Sequence, residues 1–426
     1  MLIDKKEGLS ALLSTFLLTI LLTLASCEAG DGQKVEGRKE IVLASRLWST
    51  PRERQFIIDS VLGPFEKENG VRVHLQTVDE EELLSATIGE DGEGDAGFDV
   101  LISYISMVER WRGTELFLDL EPRQKLWEGR SFMDIRSTVK RYRREEAEGT
   151  YFLPLAMDSY LLCVNKKALP YLPKGYDIDD LTWSELGHWL KVIAAARGEG
   201  KFGFSAATQS MLIYQLGGII LSYGGGFPDI SSPAALDAWE ALLSFRDGIS
   251  PRISDYESMV APMVEGKEWI SLVHNARAGA IYQSNPEQFI LSPPPKGPAG
   301  RGAIVGMSLV GVRKDAQNID LAVALVEYMT QPAINLHINL GIGGFVPPIR
   351  EAFDLLEAQK QPAIEHSMRV LSEGVLDYIP PDFSEWATVK LIVERAFFKI
   401  LFEDGYVNKE YLGEAQKKIE DFRKKR

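Results

Sequence analysis

Between residues 41 and 102 the apolar pattern switches period repeatedly, and that alternation constrains the fold more than any other feature of the chain. Ile41-Val42-Leu43-Ala44 is an apolar run with the length of a buried strand. Phe56, Ile57, Val61, Leu62 and Phe65 then recur at helical spacing, with Gly63-Pro64 marking a bend or restart before Gly70 ends the helix. Val71-Arg72-Val73-His74-Leu75 alternates as a strand does, residues 79–88 carry a further helical pattern, and Phe98-Asp99-Val100-Leu101-Ile102 is a third strand. Strand, helix, strand, helix, strand in this order predicts a parallel α/β sheet.

Further along, residues 151–154 and 160–165 are apolar strand-like runs separated by Leu155-Ala156-Met157-Asp158-Ser159. Helices are predicted over residues 183–196, where Leu186, Trp189, Leu190 and Ile193 share a face, and over 210–223 and 234–245, the last opened by Ser232-Pro233. A strand is predicted at 201–204. The Pro- and Gly-rich stretch 292–300 is predicted as a connection without regular structure. A strand over 303–312 and helices over 319–329, 384–402 and 409–423 complete the pattern, and no internal repeat appears.

The amino terminus has a different logic. Lys5 and Lys6 precede an apolar stretch over residues 9–25, and Leu24-Ala25-Ser26-Cys27 resembles the bacterial lipobox. That resemblance implies a signal peptide over 1–26, a Cys27 that is acylated, for example by palmitate, and a polar tether over 27–39. Two or more acyl chains hold a protein on a bilayer where one does so marginally. A plain cleaved signal and an uncleaved anchor helix are the competing readings. Cleavage after residue 26 leaves 400 of the 426 residues to fold, more than one hydrophobic core usually serves, so two domains are expected. Cys163 is then the only thiol in the body of the protein, which excludes an intramolecular disulfide there.

Much chemistry is excluded. A formal net charge of −14 argues against nucleic acid, and the basic runs at 140–144 and 424–426 read as solvated faces. The five histidines are too dispersed for zinc spacing and no C-x-x-C pair exists, so neither a metal nor a cofactor is expected. Gly306-Met307-Ser308-Leu309-Val310 lacks the second glycine of a nucleophile elbow. Gly341-Ile342-Gly343-Gly344 follows a helical pattern where a dinucleotide loop needs a strand. The chain is therefore read as a binder and not an enzyme.

What remains is a set of aromatic and polar residues at the ends of predicted strands, where open α/β sheets bind ligands. Trp48 and Ser49 follow the first strand and Tyr104 the third; Asp158 and Tyr160 join two apolar runs; Trp269, His274 and Asn275 flank the run 270–273, and Tyr214 lies on an apolar helix. A plain core role competes for Trp48, and capping of a local turn competes for Asp158.

In order along the chain, "IVLASRLWS", "PFEKENGVRV", "GFDVLIS", "GTYFLPLAMDSYLLCVNKKAL", "TWSELGHWLKVI" and the long segment from "LSPPPKGPAGRG" to "GIGGFVP" resemble the extracellular solute-binding proteins of bacterial ABC importers, in particular the maltose-binding, sugar-binding group. The resemblance spans about residues 40–426. It implies a two-lobed, periplasmic-binding-protein-like α/β fold, each lobe a sheet flanked by helices, with the ligand cleft between them. One lobe would take 40–155 and 301–345, the other 156–300 and 346–426. It further implies an extracytoplasmic receptor that closes on a small-molecule solute, a carbohydrate by the habit of the group, and partners in the membrane subunits of a cognate importer. The stretch "SLVHNARAGAIYQSNPEQF" also resembles polyamine-binding relatives, and a secreted glycan-processing lipoprotein is the remaining alternative. The lipid-anchor expectation is checked by intact mass of membrane-extracted protein: a chain starting at an acylated Cys27 is expected, Cys27→Ala should release a folded protein, and a chain retaining Met1 contradicts it.

Overall fold

Chain direction changes sheets across a single residue. Phe152–Asp158 (β4) ends on one sheet and Tyr160–Asn165 (β5) begins on the other, with Ser159 alone between them. The computed structural model describes residues 39–48, 50–78, 97–108, 111, 116–132, 149–208, 211–356, 361–380, 383 and 385–423. The predicted signal peptide, Cys27, residues 27–38 of the tether, Ser49, the helix predicted over 79–88 and the basic runs lie outside the described residues.

The first sheet is built on Lys39–Ser45 (β1), Val71–Thr77 (β2) and Val100–Tyr104 (β3), in the order β2, β1, β3. β1 and β3 run parallel, with Leu43 opposite Val100 and Ser45 opposite Ile102, as the alternation predicts. Helices Pro51–Ile57 (α1) and Gly63–Asn69 (α2) connect β1 to β2. Thr50 and Glu53 cap α1 reciprocally, each side chain taking the other's backbone N–H, which satisfies two donors left over at a helix start. The single helix predicted over this stretch is interrupted by a π-helical segment at Ile58–Leu62, ahead of Pro64. Pro64 cannot donate to the ladder, and the wider turn absorbs that loss.

The sheet is mixed, not purely parallel. Gly300–Val312 (β10) inserts antiparallel between β3 and β4, with Ser308 opposite Tyr104 and Gly306 opposite Asp158. Its first half pairs in parallel with Val375–Tyr378 (β11). β4 therefore reaches further than the run 151–154 suggests, because the ladder with β10 continues through Ala156, Met157 and Asp158. The stretch predicted as a pure connection contains Lys296–Gly297 (β9), which pairs with Gly300 and Arg301 as a tight hairpin.

The second sheet has the order β6, β7, β5, β8, made from Phe202–Gly203 (β6), Ile270–His274 (β7), β5 and Phe289–Ser292 (β8). β7 and β8 flank β5 antiparallel, with Tyr160 opposite His274. Trp183–Arg197 (α3), Leu212–Ser222 (α4) and Pro233–Ser244 (α5) join one apolar core with this sheet, and Trp183, Trp189 and Trp239 are fully buried in it. Trp386–Phe398 (α10) and Lys409–Asp421 (α11) close the same core. On the other face Asn275–Ser284 (α6) and Pro362–Glu373 (α9) cover Leu161, Cys163 and Leu291. Ile319–Met329 (α7) and Pro332–Gly341 (α8) pack with α1 and α2 on the first sheet. Each sheet is thus an apolar layer covered by helices, as chains buried on both faces require.

α3 shows the local logic most clearly: Thr182 accepts the Glu185 N–H, the Glu185 carboxylate accepts from the Thr182 N–H and hydroxyl, and Gly198 ends the helix at a φ of 75°. Thr182→Ala is expected to lower the unfolding free energy by about 1 kcal/mol, measured as a reduced urea midpoint with an unchanged slope; an unchanged midpoint contradicts the capping account.

Candidate ligand-binding site

The passage from β4 to β5 fixes the centre of the site. Asp158 Oδ1 accepts the Gly306 N–H at 2.8 Å, and Oδ2 lies 3.3 Å from Nε2 of His274. A Cβ on residue 306 would overlap both carboxylate oxygens, so only glycine lets the carboxylate lie against β10. His274 Nδ1 accepts the Ala276 N–H at 3.3 Å. That bond leaves the ring proton on Nε2, aimed at Asp158. One carboxylate is thereby shared between a strand of the first sheet and the end of β7 in the second.

Aromatic rings surround this pair. Tyr160 meets His274 edge to face at 5.9 Å between centroids, and Phe345 meets it from another side at 5.4 Å. The Tyr160 hydroxyl is buried and has no hydrogen-bond partner in the protein. Burial, then the nearby Asp158 carboxylate and Tyr214, push its phenol well above the usual tyrosine range, so it remains a neutral donor. The Tyr214 hydroxyl accepts the Trp386 indole N–H at 2.8 Å, and the two rings stack at 6.4 Å and 28°. Lys390 places its ammonium 5.5 Å from the Tyr214 ring centre, and Phe227 meets Trp386 edge on.

The remaining sequence candidates divide. Tyr104 ends β3 and is half-buried at the same carboxyl-end edge of the first sheet, with the Arg46 guanidinium 5.6 Å from its ring centre. Asn275 is committed to holding the fold: its Nδ2 donates to Gly344 O at 3.0 Å, its Oδ1 accepts the Ala276 N–H, and its N–H donates to Ser159 O. Trp48 is fully buried in the apolar core of the first sheet, its indole N–H without a partner. Trp269 lies at the opposite end of β7 from His274, four residues or roughly 13 Å further back, where it packs on Tyr171 and Arg197 and donates to Gly266 O. The structure does not bring Trp269 to the Asp158 cluster, because a strand that puts one end at the edge puts the other end away from it. Trp386, Phe345, Gly306 and Arg46 belong to the neighbourhood and carry no signal in the sequence beyond residue type.

Among the described residues no group of histidine, cysteine and acidic side chains could hold a metal ion. Cys163 is buried, and burial alone raises its thiol pKa, so it is an inert core residue.

Two helix-covered sheets, joined by a one-residue passage at which polar and aromatic side chains gather, define a two-lobed binding protein. Residues 61–366, more than half of the chain, match the bacterial extracellular solute-binding proteins, and the chain belongs to that family. The family assignment places the protein outside the cytoplasm. Among curated protein sequences none matches the chain. Solved structures agree on the fold: the GacH receptor of Streptomyces glaucescens, described unliganded and with acarbose, is 16% identical at a TM-score of 0.70, over 91% of this chain and 100% of that one. Maltose-bound MalE3 of T. maritima is 18% identical at 0.70, over 90% and 99%. UgpB from Mycobacterium tuberculosis, in complex with glycerophosphocholine, is 16% identical at 0.67, over 91% and 98%.

Gly306→Ala is expected to displace the Asp158 carboxylate and cost about 1 to 3 kcal/mol of stability, the usual range for forcing an extra methyl into a packed site. Urea denaturation measures it, and a variant as stable as the parent contradicts the contact.

Proposed function

We propose that this protein is the extracytoplasmic, lipid-anchored substrate-binding component of an ABC importer, and that it binds a sugar or oligosaccharide between its two lobes without transforming it. The observation that carries this reading is the Asp158 carboxylate held by β10 of one sheet and facing His274 of the other. A ligand touching both sides of that seam stabilises the state in which they are close, and closure follows as a population shift. The passages between sheets, at Ser159 and along β10, are the segments about which the lobes would turn.

The chemistry at the seam suits a hydroxyl-rich solute. Tyr160 offers a buried donor, Asp158 an acceptor, and the Tyr214, Phe227 and Trp386 rings offer flat apolar faces. The acarbose and maltose named for two structural neighbours support a carbohydrate. Acylated Cys27 would hold the receptor beside the importer's membrane subunits.

Purified protein incubated with a solute library, with melting temperature and product formation followed together, tests the proposal. A selective upward shift without product is expected, since a ligand that binds only the folded state stabilises it. Asp158→Asn is expected to weaken the bound solute roughly 5- to 150-fold, the equivalent of about 1 to 3 kcal/mol for one buried hydrogen bond. Reproducible turnover that disappears with an acidic-residue substitution overturns the receptor reading.

A further inference from the structure

We infer that the solute carries an anionic group, a carboxylate or a phosphate ester, and that Arg46 is the residue that selects it. This rests on the reading of the seam as a solute cleft. Arg46 directly follows β1, and its N–H donates to Ile102 O at 3.1 Å, which fixes it at the carboxyl-end edge of the first sheet beside β3. Its guanidinium lies over the Tyr104 ring, Nε is buried without a partner, and no carboxylate or carbonyl among the described residues accepts from the side chain.

Other arginines withdrawn from water in this protein do not share that condition. Arg301 donates to Asp180 at 2.9 Å and to the Asp179 carbonyl at 2.7 Å; Arg313 Nε donates to Asp315 at 2.7 Å; Arg252 lies 3.5 Å from Glu199 and 3.7 Å from Glu268. The acids near Arg46 are already used, Glu53 in capping α1 and Asp158 in holding Gly306 and His274. A guanidinium stripped of water and left without an acceptor is unfavourable unless something supplies one.

Other buried polar atoms at this edge are also unpartnered: the Trp48 indole N–H two residues on, and the hydroxyls of Ser103 and Ser159. Continuing the register that sets Ser45 opposite Ile102 makes Ser103 the cross-strand neighbour of Arg46, with strands roughly 5 Å apart. The set contains a cation, an indole that only donates and two hydroxyls free to donate. Its complement is a group that only accepts and carries negative charge, such as a carboxylate or phosphate meeting the guanidinium with two parallel bonds. A neutral sugar hydroxyl neither needs nor neutralises such a donor set.

Calorimetric titration of the intact protein tests this with three arms: trigalacturonate and glucuronate as carboxylates, a hexose phosphate and glycerol phosphate as phosphates, and glucose and a neutral trisaccharide as uncharged counterparts. One anionic arm is expected to bind at least roughly 10-fold more tightly than its counterpart, and the winning arm tells carboxylate from phosphate. Arg46→Gln should weaken that ligand roughly 10- to 150-fold, the range for a hydrogen bond to a charged group. Arg46→Lys should lose less, keeping the charge but not the planar fork. Should Arg46→Gln fail to fold, the preference of the parent protein and the Arg46→Lys affinity decide. A neutral sugar bound as tightly as every anion, with Arg46→Gln unaffected, overturns the inference and leaves the receptor reading standing; binding by no anionic member also overturns it.

Discussion

The antiparallel pairing of β4 with β10 is the constraint on which the site depends. It brings Gly306 opposite Asp158, lets the carboxylate accept the Gly306 N–H, and leaves one residue before the chain pairs again in the other sheet. Because side chains alternate across a strand, a slip of one residue in either ladder would turn Asp158 or Tyr160 to the opposite face. Register is held on both sides of Ser159, by Met157 opposite Met307 and by Tyr160 opposite His274. The rigidity of two sheets is thereby transmitted to two side chains.

Around that seam the protonation states favour donation toward a ligand. The Tyr160 phenol is kept neutral by burial, and the His274 ring holds its proton on the side of Asp158. Asn275, which has the same residue chemistry as many ligand contacts, is instead committed to backbone groups of the Gly344 turn and of α6. The Gly344 turn lies next to Phe345, one of the rings against His274. Polar residues here thus serve two purposes, and only their hydrogen-bond partners tell which is which.

Much of the fold was legible because the period of apolar residues differs between strands and helices. The order of β1, β2 and β3, the parallel pairing of β1 with β3, and α3 with its capping box can all be read from residue type and spacing. The extent of β4 and the presence of β9 could not, since both depend on pairing with β10, more than a hundred residues beyond β4. The same limit applies to the site. Asp158 and Tyr160 stand out as polar ends of apolar runs, whereas nothing local in the sequence says that Trp48 enters the core or that Trp269 sits at the far end of its strand. Gly306, Phe345 and Trp386 become relevant only through tertiary contact.

The central claim is that a small solute is held at the seam between β4 and β5 by groups from both sheets. A crystal structure of the protein with its co-purified or titrated solute tests it most directly. The account predicts solute density within hydrogen-bond distance of Asp158 or Tyr160, with a ring of the Tyr214 and Trp386 pair against it. A solute bound elsewhere on the molecule, with Asp158 and Tyr160 making no contact, would contradict it.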